Sequence, residues 1–323
     1  MALLRLGTRG SELALFQART VAALLEAQAQ SRCEIVVIKT SGDRLAEASL
    51  AQIGGKRLFV KEIEDALLAG DVDIAVHSSK DMPVVLPEGL AIGAVLPRED
   101  PRDALVLPAS AATPDSFDDI VRMLGRAPRI GTSSVRRVAQ LTRVFPGAQF
   151  LPVRGNLGTR LRKIDSGEFD ALVLAAAGLR RLEKAERISM TLPIEACVPA
   201  PGQGIIAVEI RADDGGTRER VARIDEPAAA VALRAERAVV TRLGGGCQMP
   251  IGAHAEISGG SVTLTSIVVS PDGARAARAS ASGAVDQAEA VGIAVANRLL
   301  DEGAGDILAD VQRTQAAVEG IQP

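Results

Sequence analysis

Tryptophan and tyrosine are absent from the 323 residues, and phenylalanine occurs only six times. Nucleic-acid binding wants a basic face with aromatic platforms on which bases stack. The formal net charge here is -3, so general nucleic-acid binding is excluded as a reading. Cysteine is scarce. Cys33, Cys197 and Cys247 are far apart and odd in number, which argues against a disulfide framework and gives no zinc-like spacing. His77 and His254 have no partners at ligand spacing and read as satisfied structural histidines, so no metal is expected. No apolar run reaches the roughly 20 residues of a membrane span. Residues 1–6 are too short for the apolar core of a signal peptide. The expected setting is the cytoplasm, with no membrane partner. What is present suits an ordinary globular chain: 47% hydrophobic and 24% charged residues, with no visible internal repeat. That length gives two or three domains.

Against this mildly acidic background, two turn segments each end in arginine. Gly131-Thr132-Ser133-Ser134-Val135-Arg136-Arg137 follows a short apolar segment at Ile130, and Arg154-Gly155-Asn156-Leu157-Gly158-Thr159-Arg160 follows the apolar run 149–153. Each reads as a strand, a small-residue turn and a helix start. A helix start offers unpaired N–H groups and a positive dipole end, and so attracts anions. Arginine adds a permanent charge and a fork that fits carboxylate or phosphate. Arg9-Gly10-Ser11 repeats the design after the first strand, beside the alternative of a capped helix with a solvated arginine. Together these turns suggest a ligand with several negative groups.

Along the chain, strands are expected at 3–7, 34–38, 73–76 and 90–96, with helices at 11–29 (Ser11 as its cap) and 59–69. The segment 40–57 is loop-like. A Pro-rich crossing at 97–101 leads to a second unit, with strands at 104–107, near 130, at 150–153 and 171–174, and helices starting near 133, 156 and 178. A second crossing, 193–204, precedes a strand at 205–210 that returns to the first sheet. Alternating strands and helices imply α/β lobes, each doubly wound around a mainly parallel sheet, with a cleft between them. After a polar linker at 213–217, a helix at 227–243 and three antiparallel strands near 253–257, 261–269 and 274–281 form a smaller α+β domain. A helix at 285–300 and a short one in the tail complete it. The division expected is 1–97 with 199–213 for lobe 1, 102–194 for lobe 2 and 218–323 for the third domain.

Val76-His77-Ser78-Ser79-Lys80-Asp81-Met82-Pro83 follows a strand end, where doubly wound sheets place ligands. Asp81 beside Lys80 reads either as an ionised carboxylate that steadies a positive charge or exchanges protons, or as a helix cap beside a surface lysine. Lys56 follows Gly54-Gly55 and is by default solvated; Phe59 is by default core. Cys247, after Gly244-Gly245-Gly246, reads equally as a covalent attachment point or an incidental thiol. Cys33 and Cys197 read as structural.

Taken in order, these segments resemble the porphobilinogen deaminase (hydroxymethylbilane synthase) family over essentially the whole chain. The resemblance runs through Leu6-Gly7-Thr8-Arg9-Gly10-Ser11-Glu12-Leu13-Ala14-Leu15, Gly54-Gly55-Lys56-Arg57-Leu58-Phe59, His77-Ser78-Ser79-Lys80-Asp81-Met82-Pro83 and both arginine turns. It continues through Ala177-Gly178-Leu179-Arg180-Arg181-Leu182, Pro199-Ala200-Pro201-Gly202-Gln203-Gly204 and Gly245-Gly246-Cys247-Gln248-Met249-Pro250-Ile251-Gly252. It implies monomers of three domains, the first two like the lobes of periplasmic binding proteins. It also implies a tetrapyrrole-pathway transferase that joins four porphobilinogens into hydroxymethylbilane, with a dipyrromethane cofactor held by a thioether to Cys247. The catalytic position falls on Asp81. Cofactor contacts fall on Lys80, Thr132, Ser134, Arg136, Arg137 and Arg160, and substrate contacts on Arg9, Ser11, Gln17, Lys56, Phe59, Arg154 and Arg181. The product would pass to the next pathway enzyme. Gln52 departs from a lysine found in some members, and Glu12 from a proline. A periplasmic-type solute binder would share the lobes but has no use for Cys247. A phosphoryl-transfer enzyme would need a phosphate loop ending in Gly-Lys-Ser/Thr, which is missing.

Overall fold

In a computed structural model, which describes residues 2–41, 60–246 and 248–320, the chain opens with β1, Ala2–Thr8. Leu4 and Leu6 point inward while Leu3 is exposed, the alternation of a strand with one buried face. The helix α1, Glu12–Ala29, begins where Ser11 Oγ accepts the Ala14 N–H, and Ala18, Val21 and Leu25 form its buried stripe. Lobe 1 continues with β2 (Ser31–Val37), α2 (Lys61–Leu68), β3 (Ile74–Ser78) and β4 (Leu90–Val95).

The chain then crosses into lobe 2, which holds β5 (Asp103–Val106), α3 (Phe117–Leu124), β6 (Arg129–Gly131) and α4 (Val135–Thr142). It goes on with β7 (Gln149–Leu151), α5 (Leu157–Asp165), β8 (Ala171–Ala175), α6 (Ala176–Arg181) and β9 (Met190–Thr191). Strands β5 and β8 are buried on both faces. Val106, Leu172 and Leu174 pack on one side, and Leu105, Ala171 and Val173 on the other. Each of the valine and leucine side chains contributes about 1.5–3 kcal/mol. At the end of β6 a methyl group on Gly131 would collide with Leu172 and Phe169, so the first arginine turn leaves the sheet through a close approach.

A second crossing returns the chain to lobe 1 as β10, Ile206–Arg211. The two sheets then share one topology. Lobe 1 has the order β2-β1-β3-β10-β4 and lobe 2 the order β7-β6-β8-β5-β9. In each, the strand that follows a crossing is inserted antiparallel, while β1–β2, β1–β3, β6–β7 and β6–β8 run parallel. The sheets are therefore mixed rather than mainly parallel. The cause is the return of each crossing strand from the opposite lobe, which feeds it in from the far end.

The segment expected as a polar linker at 213–217 instead starts α7, Gly215–Val221. Its glycines disfavour a helix, but Asp214 accepts the Thr217 N–H and the Thr217 hydroxyl, a local cap that overrides propensity. Helix α3 and strand β9 are additional to the expectation. The third domain packs α8 (Pro227–Arg242) and α9 (Ala288–Asp301) on the antiparallel sheet β11 (Ile251–Ser258), β12 (Ser261–Val269) and β13 (Ala276–Ala284). Its core includes Val239, Ile251, Leu264, Val295 and Leu299. The tail helix α10, Ala304–Gly320, runs 17 residues rather than one short turn.

Candidate active site

The two crossings lie against each other. Glu99 N–H donates to Gly204 O at 3.0 Å, and Gly204, at φ +88, has no room for a side chain because Glu99 O fills that space. Around this contact the lobes bring their charged side chains together.

Asp103, the first residue of β5, is fully buried. Its Oδ1 accepts from Arg137 Nη2 at 2.7 Å, Arg137 Nε at 3.0 Å and Gln203 Nε2 at 2.9 Å. Its Oδ2 pairs with Arg136 Nη1 at 2.7 Å and accepts the Cys197 thiol at 3.3 Å. Burial alone would raise this carboxyl; Arg136 and Arg137 outweigh it and hold the group far below the usual carboxylate range. For Arg136, burial is likewise outweighed by Asp103, and its proton affinity rises. The Cys197 thiol is pushed up to about 12 by burial first and Asp103 second. Cys197 is thus structural, as the sequence suggested. The half-buried Cys33 is held up at about 11, chiefly by burial.

Arg136 and Arg137 are committed more deeply than their turn suggests. Arg137 Nη1 also donates to Val173 O at 2.8 Å, and Arg136 Nη1 to Val198 O at 2.7 Å. Arg136 Nε is buried without a hydrogen-bond partner among the described residues. In the same turn, Thr132 Oγ1 accepts the Ser134 N–H at 3.3 Å, and Ser134 Oγ, the cap of α4, accepts the Arg137 N–H at 3.5 Å. These bonds use hydroxyl lone pairs. A hydroxyl engaged this way keeps its hydrogen for another acceptor, such as a carboxylate. Ser11 stands the same way at α1.

In the second turn Asn156 caps α5 by accepting the Thr159 N–H at 2.9 Å, and Gly155 takes φ +100. Arg160 donates to Gly155 O at 2.9 Å. Burial lowers its proton affinity, Arg137 lowers it further and Asp81 raises it. Arg160 of lobe 2 is therefore within electrostatic reach of Asp81 of lobe 1. Arg154 opens this turn half-buried, and Arg9 stands half-buried before α1.

Asp81 ends a single 3₁₀ turn, Ser79–Asp81, after β3, and its side chain is exposed. Lys80 is half-buried rather than a surface lysine, and Nζ donates to Gln203 Oε1 at 3.3 Å. Burial lowers it to about 8, with Arg137 and Arg136 adding to the effect and Asp81 and Asp103 opposing it. The turn is anchored at both ends. Gln17 donates to Ser78 Oγ at 2.8 Å, and Arg237 of α8 donates to Pro83 O at 2.9 Å and Val84 O at 2.5 Å. Arg181 Nη2 donates to Gly204 O at 2.7 Å, which sets it against the crossing, and burial lowers its proton affinity. The lobes also touch directly, since a methyl group on Gly178 of α6 would stand 3.7 Å from Leu13 of α1.

The structure thus gathers Lys80, Asp81, Arg136, Arg137 and Arg160 into one neighbourhood. It places Gln17 and Arg181 beside residues of that neighbourhood, and Arg9, Ser11, Thr132, Ser134 and Arg154 at the three turns. Gln52, Lys56, Phe59 and Cys247 lie outside the described residues. Asp103 and Gln203, which organise the cluster, were missed from sequence: a lone aspartate at a strand start and a glutamine in a Pro-Gly crossing carry no spacing signal. His77 pairs with buried Glu209 at 3.0 Å. His254 is less satisfied than expected. Its Nε2 lies 3.4 Å from Glu256, and its Nδ1 is buried without a hydrogen-bond partner among the described residues. A separate groove of about 810 Å³ lies between lobe 2 and the third domain, lined by Arg102, Ile194, His254 and Arg278 among others and by none of the candidate site residues.

Lys80, Arg136 and Arg137 face one buried carboxylate and Arg160 stands near Arg137, so the cluster carries excess positive charge beside an exposed aspartate. Such a site fits a ligand with several carboxylates. Comparison with known proteins agrees. The family model for the porphobilinogen deaminase dipyromethane cofactor binding domain matches residues 4–219, and that for the porphobilinogen deaminase C-terminal domain matches residues 230–301. A porphobilinogen deaminase from Geobacter metallireducens is 47% identical over 317 residues, covering 98% of this chain and 97% of its own. One from Syntrophobacter fumaroxidans is 47% identical over 311 residues, covering 96% and 98%. Among solved structures, immunogenic lipoprotein A from Vibrio vulnificus is similar at a TM-score of 0.43 and 9% identity, over 70% of this chain and 96% of its own. No helix among the described residues is long and apolar enough to cross a membrane.

Proposed function

This chain belongs to the porphobilinogen deaminase family, and from that premise we propose how its own residues divide the work. The enzyme is a transferase of tetrapyrrole biosynthesis. It condenses four porphobilinogen molecules head to tail, releases ammonia at each addition and frees the linear hydroxymethylbilane by hydrolysis with one water.

The observation that carries the proposal is the exposed Asp81 carboxylate within electrostatic reach of cations from both lobes. Every pyrrole of this pathway brings an acetate and a propionate, so the ligand gains two carboxylates per ring. Arg9, Ser11, Gln17, Lys56, Arg154 and Arg181 hold those of the incoming substrate, with Phe59 packing on its ring. Lys80, Thr132, Ser134, Arg136, Arg137 and Arg160 hold the dipyrromethane, tethered through the Cys247 sulfur. When bound, that cofactor supplies the pyrrole primer from which the chain is built. Arg136 and Arg137 act mainly through charge and their remaining N–H groups, since Asp103 fixes both.

Asp81 is the catalytic residue. When the C–N bond of the protonated aminomethyl group breaks, the electron pair leaves with ammonia and the substrate pyrrole is left as a cation. The ionised Asp81 stabilises that charge. Asp81 also takes up the proton released when the new carbon–carbon bond forms. The three domains, divided at 1–97 with 199–213, 102–194 and 218–323, complete the site within one chain. In this reading the protein works as a cytoplasmic monomer and hands its product to the next enzyme of the pathway.

Intact-protein mass tests the reading. The wild type should weigh two pyrrole units more than its sequence, added porphobilinogen should produce a ladder of adducts, and Cys247→Ala should carry none. Asp81→Asn should keep the cofactor and lose activity by about 10²-fold or more, the scale of a lost electrostatic stabiliser. An unmodified, fully active wild type, or near-normal turnover by Asp81→Asn, would refute it.

A further inference from the structure

We propose that Gln203 is a positioning residue for this reaction: it sets where the Lys80 ammonium stands and ties that position to the crossings between the lobes. The proposal rests on Lys80 being a carboxylate holder in the site described above.

Gln203 is 1% exposed. Its amide nitrogen donates to Pro101 O at 2.6 Å and Asp103 Oδ1 at 2.9 Å, both pure acceptors on the first crossing and the start of β5. That fixes the orientation of the amide, because a reversed group would set its oxygen against two oxygens. The carbonyl must then face Lys80, and it accepts the Nζ hydrogen bond at 3.3 Å. The backbone of Gln203 is held as well. Its N–H donates to Ala200 O at 2.9 Å and its carbonyl accepts Arg98 Nε at 2.9 Å. Gln203 sits on one crossing and its amide reaches the other, so the lysine's position follows the register of both.

A glutamine suits this role for a physical reason. A lysine ammonium rides on a flexible stem and would swing to the nearest carboxylate. Asp81 is adjacent, and Asp103 lies behind Gln203. A neutral acceptor holds the ammonium away from both without cancelling its charge. Among the described residues one of its three N–H groups is engaged, which leaves two for ligand carboxylates.

The test compares Gln203→Met and Gln203→Glu in the full-length holoenzyme. Both lose the bonds to Pro101 and Asp103, so they share whatever structural damage that causes. They differ at Lys80. Methionine removes an acceptor that favours the charged ammonium; glutamate replaces it with an anion. The groups facing Lys80 are Asp81, Asp103, Arg136 and Arg137, and neither variant changes them. In lysine-labelled protein, the Lys80 ammonium signal, assigned by its absence in Lys80→Met, is followed through its titration. The midpoint should fall in Gln203→Met and rise in Gln203→Glu. In steady state Gln203→Met should lower kcat/KM for porphobilinogen about tenfold, because Lys80 sets the cofactor ring that the substrate must meet. In a Lys80→Met background the same substitution should change kcat/KM less than about twofold.

Midpoints that move together or not at all, or a full tenfold effect without Lys80, would overturn the proposal. If Gln203→Glu does not fold, the methionine variant and its cycle with Lys80→Met decide. If the wild type carries no pyrrole adduct, the functional reading fails, yet the Lys80 titration still judges the contact.

Discussion

The two arginine turns of lobe 2 share one grammar and meet different fates. Both run from a strand through small residues to a capped helix. In the first, Arg136 and Arg137 are 4% and 7% exposed and converge on Asp103. In the second, Arg160 bonds the backbone of its own turn, and no carboxylate among the described residues lies within ion-pair distance of it. The difference is set by what stands opposite. Strand β5 presents Asp103 to α4, whereas the opposite charge felt by Arg160 is that of the exposed Asp81. The first turn is therefore a fixed positive wall with an internal counterion. The second offers a charge that still lacks one.

Removing the counterion should produce the largest effect. Asp103→Asn leaves two buried guanidiniums against an amide, and breaking one side of a buried ion pair costs about 3–5 kcal/mol. Chemical denaturation at pH 7 measures it. Acidity sharpens the contrast. The folded Asp103 carboxyl lies below its unfolded value, near 3.9, so the ionised form contributes its stability in full above about pH 5. That contribution is lost as pH falls through the depressed folded value. The gap between wild type and Asp103→Asn should be widest at neutral pH and narrow below about pH 4. A gap that stays constant down to about pH 2 would mean that the two guanidiniums do not depend on this carboxylate.

The turns should also separate under substitution of their arginines. Arg137→Met strips a buried carboxylate of one partner and should lose about 2–3 kcal/mol of stability. Arg160→Met should lose less than about 1 kcal/mol, yet lower kcat/KM for porphobilinogen about tenfold or more by removing a charge-assisted contact to the cofactor. Equal stability losses would erase the distinction between a wall and an available charge.

The shared grammar was legible because it is local. Caps, small residues and strand ends sit within seven positions, and Ser11, Ser134 and Asn156 do cap their helices. The counterion was not legible. Asp103 is 33 residues from Arg136, and its approach depends on β5 pairing antiparallel with β8. The same holds for the repeated sheet topology. The lobes share strand order without sharing a sequence period, because order is set by where each crossing strand re-enters. Gln203 stood in a segment that reads as a crossing, and only its buried amide, aimed at Lys80, separates a function from a turn. Lys80 itself was ambiguous for a similar reason, since spacing does not say whether a lysine after a strand end meets solvent or a buried amide.

The smallest effect should reverse the order of the turns. Asn156 accepts the Thr159 N–H at 2.9 Å, whereas Ser134 accepts the Arg137 N–H at 3.5 Å, the limit of a hydrogen bond. A good cap contributes about 1 kcal/mol and a stretched one about half of that. Asn156→Ala should therefore destabilise by about 1 kcal/mol and Ser134→Ala by about 0.5 kcal/mol, although Ser134 lies in the more buried turn. Function should follow the other order. Ser134 keeps its hydroxyl hydrogen for a cofactor carboxylate, so its loss should lower kcat/KM a few-fold, while Asn156→Ala should leave kcat/KM within about twofold. Paired unfolding and steady-state measurements on the two variants decide it: a larger stability loss at Ser134 would mean that the cap, and not the hydroxyl hydrogen, is what that serine supplies.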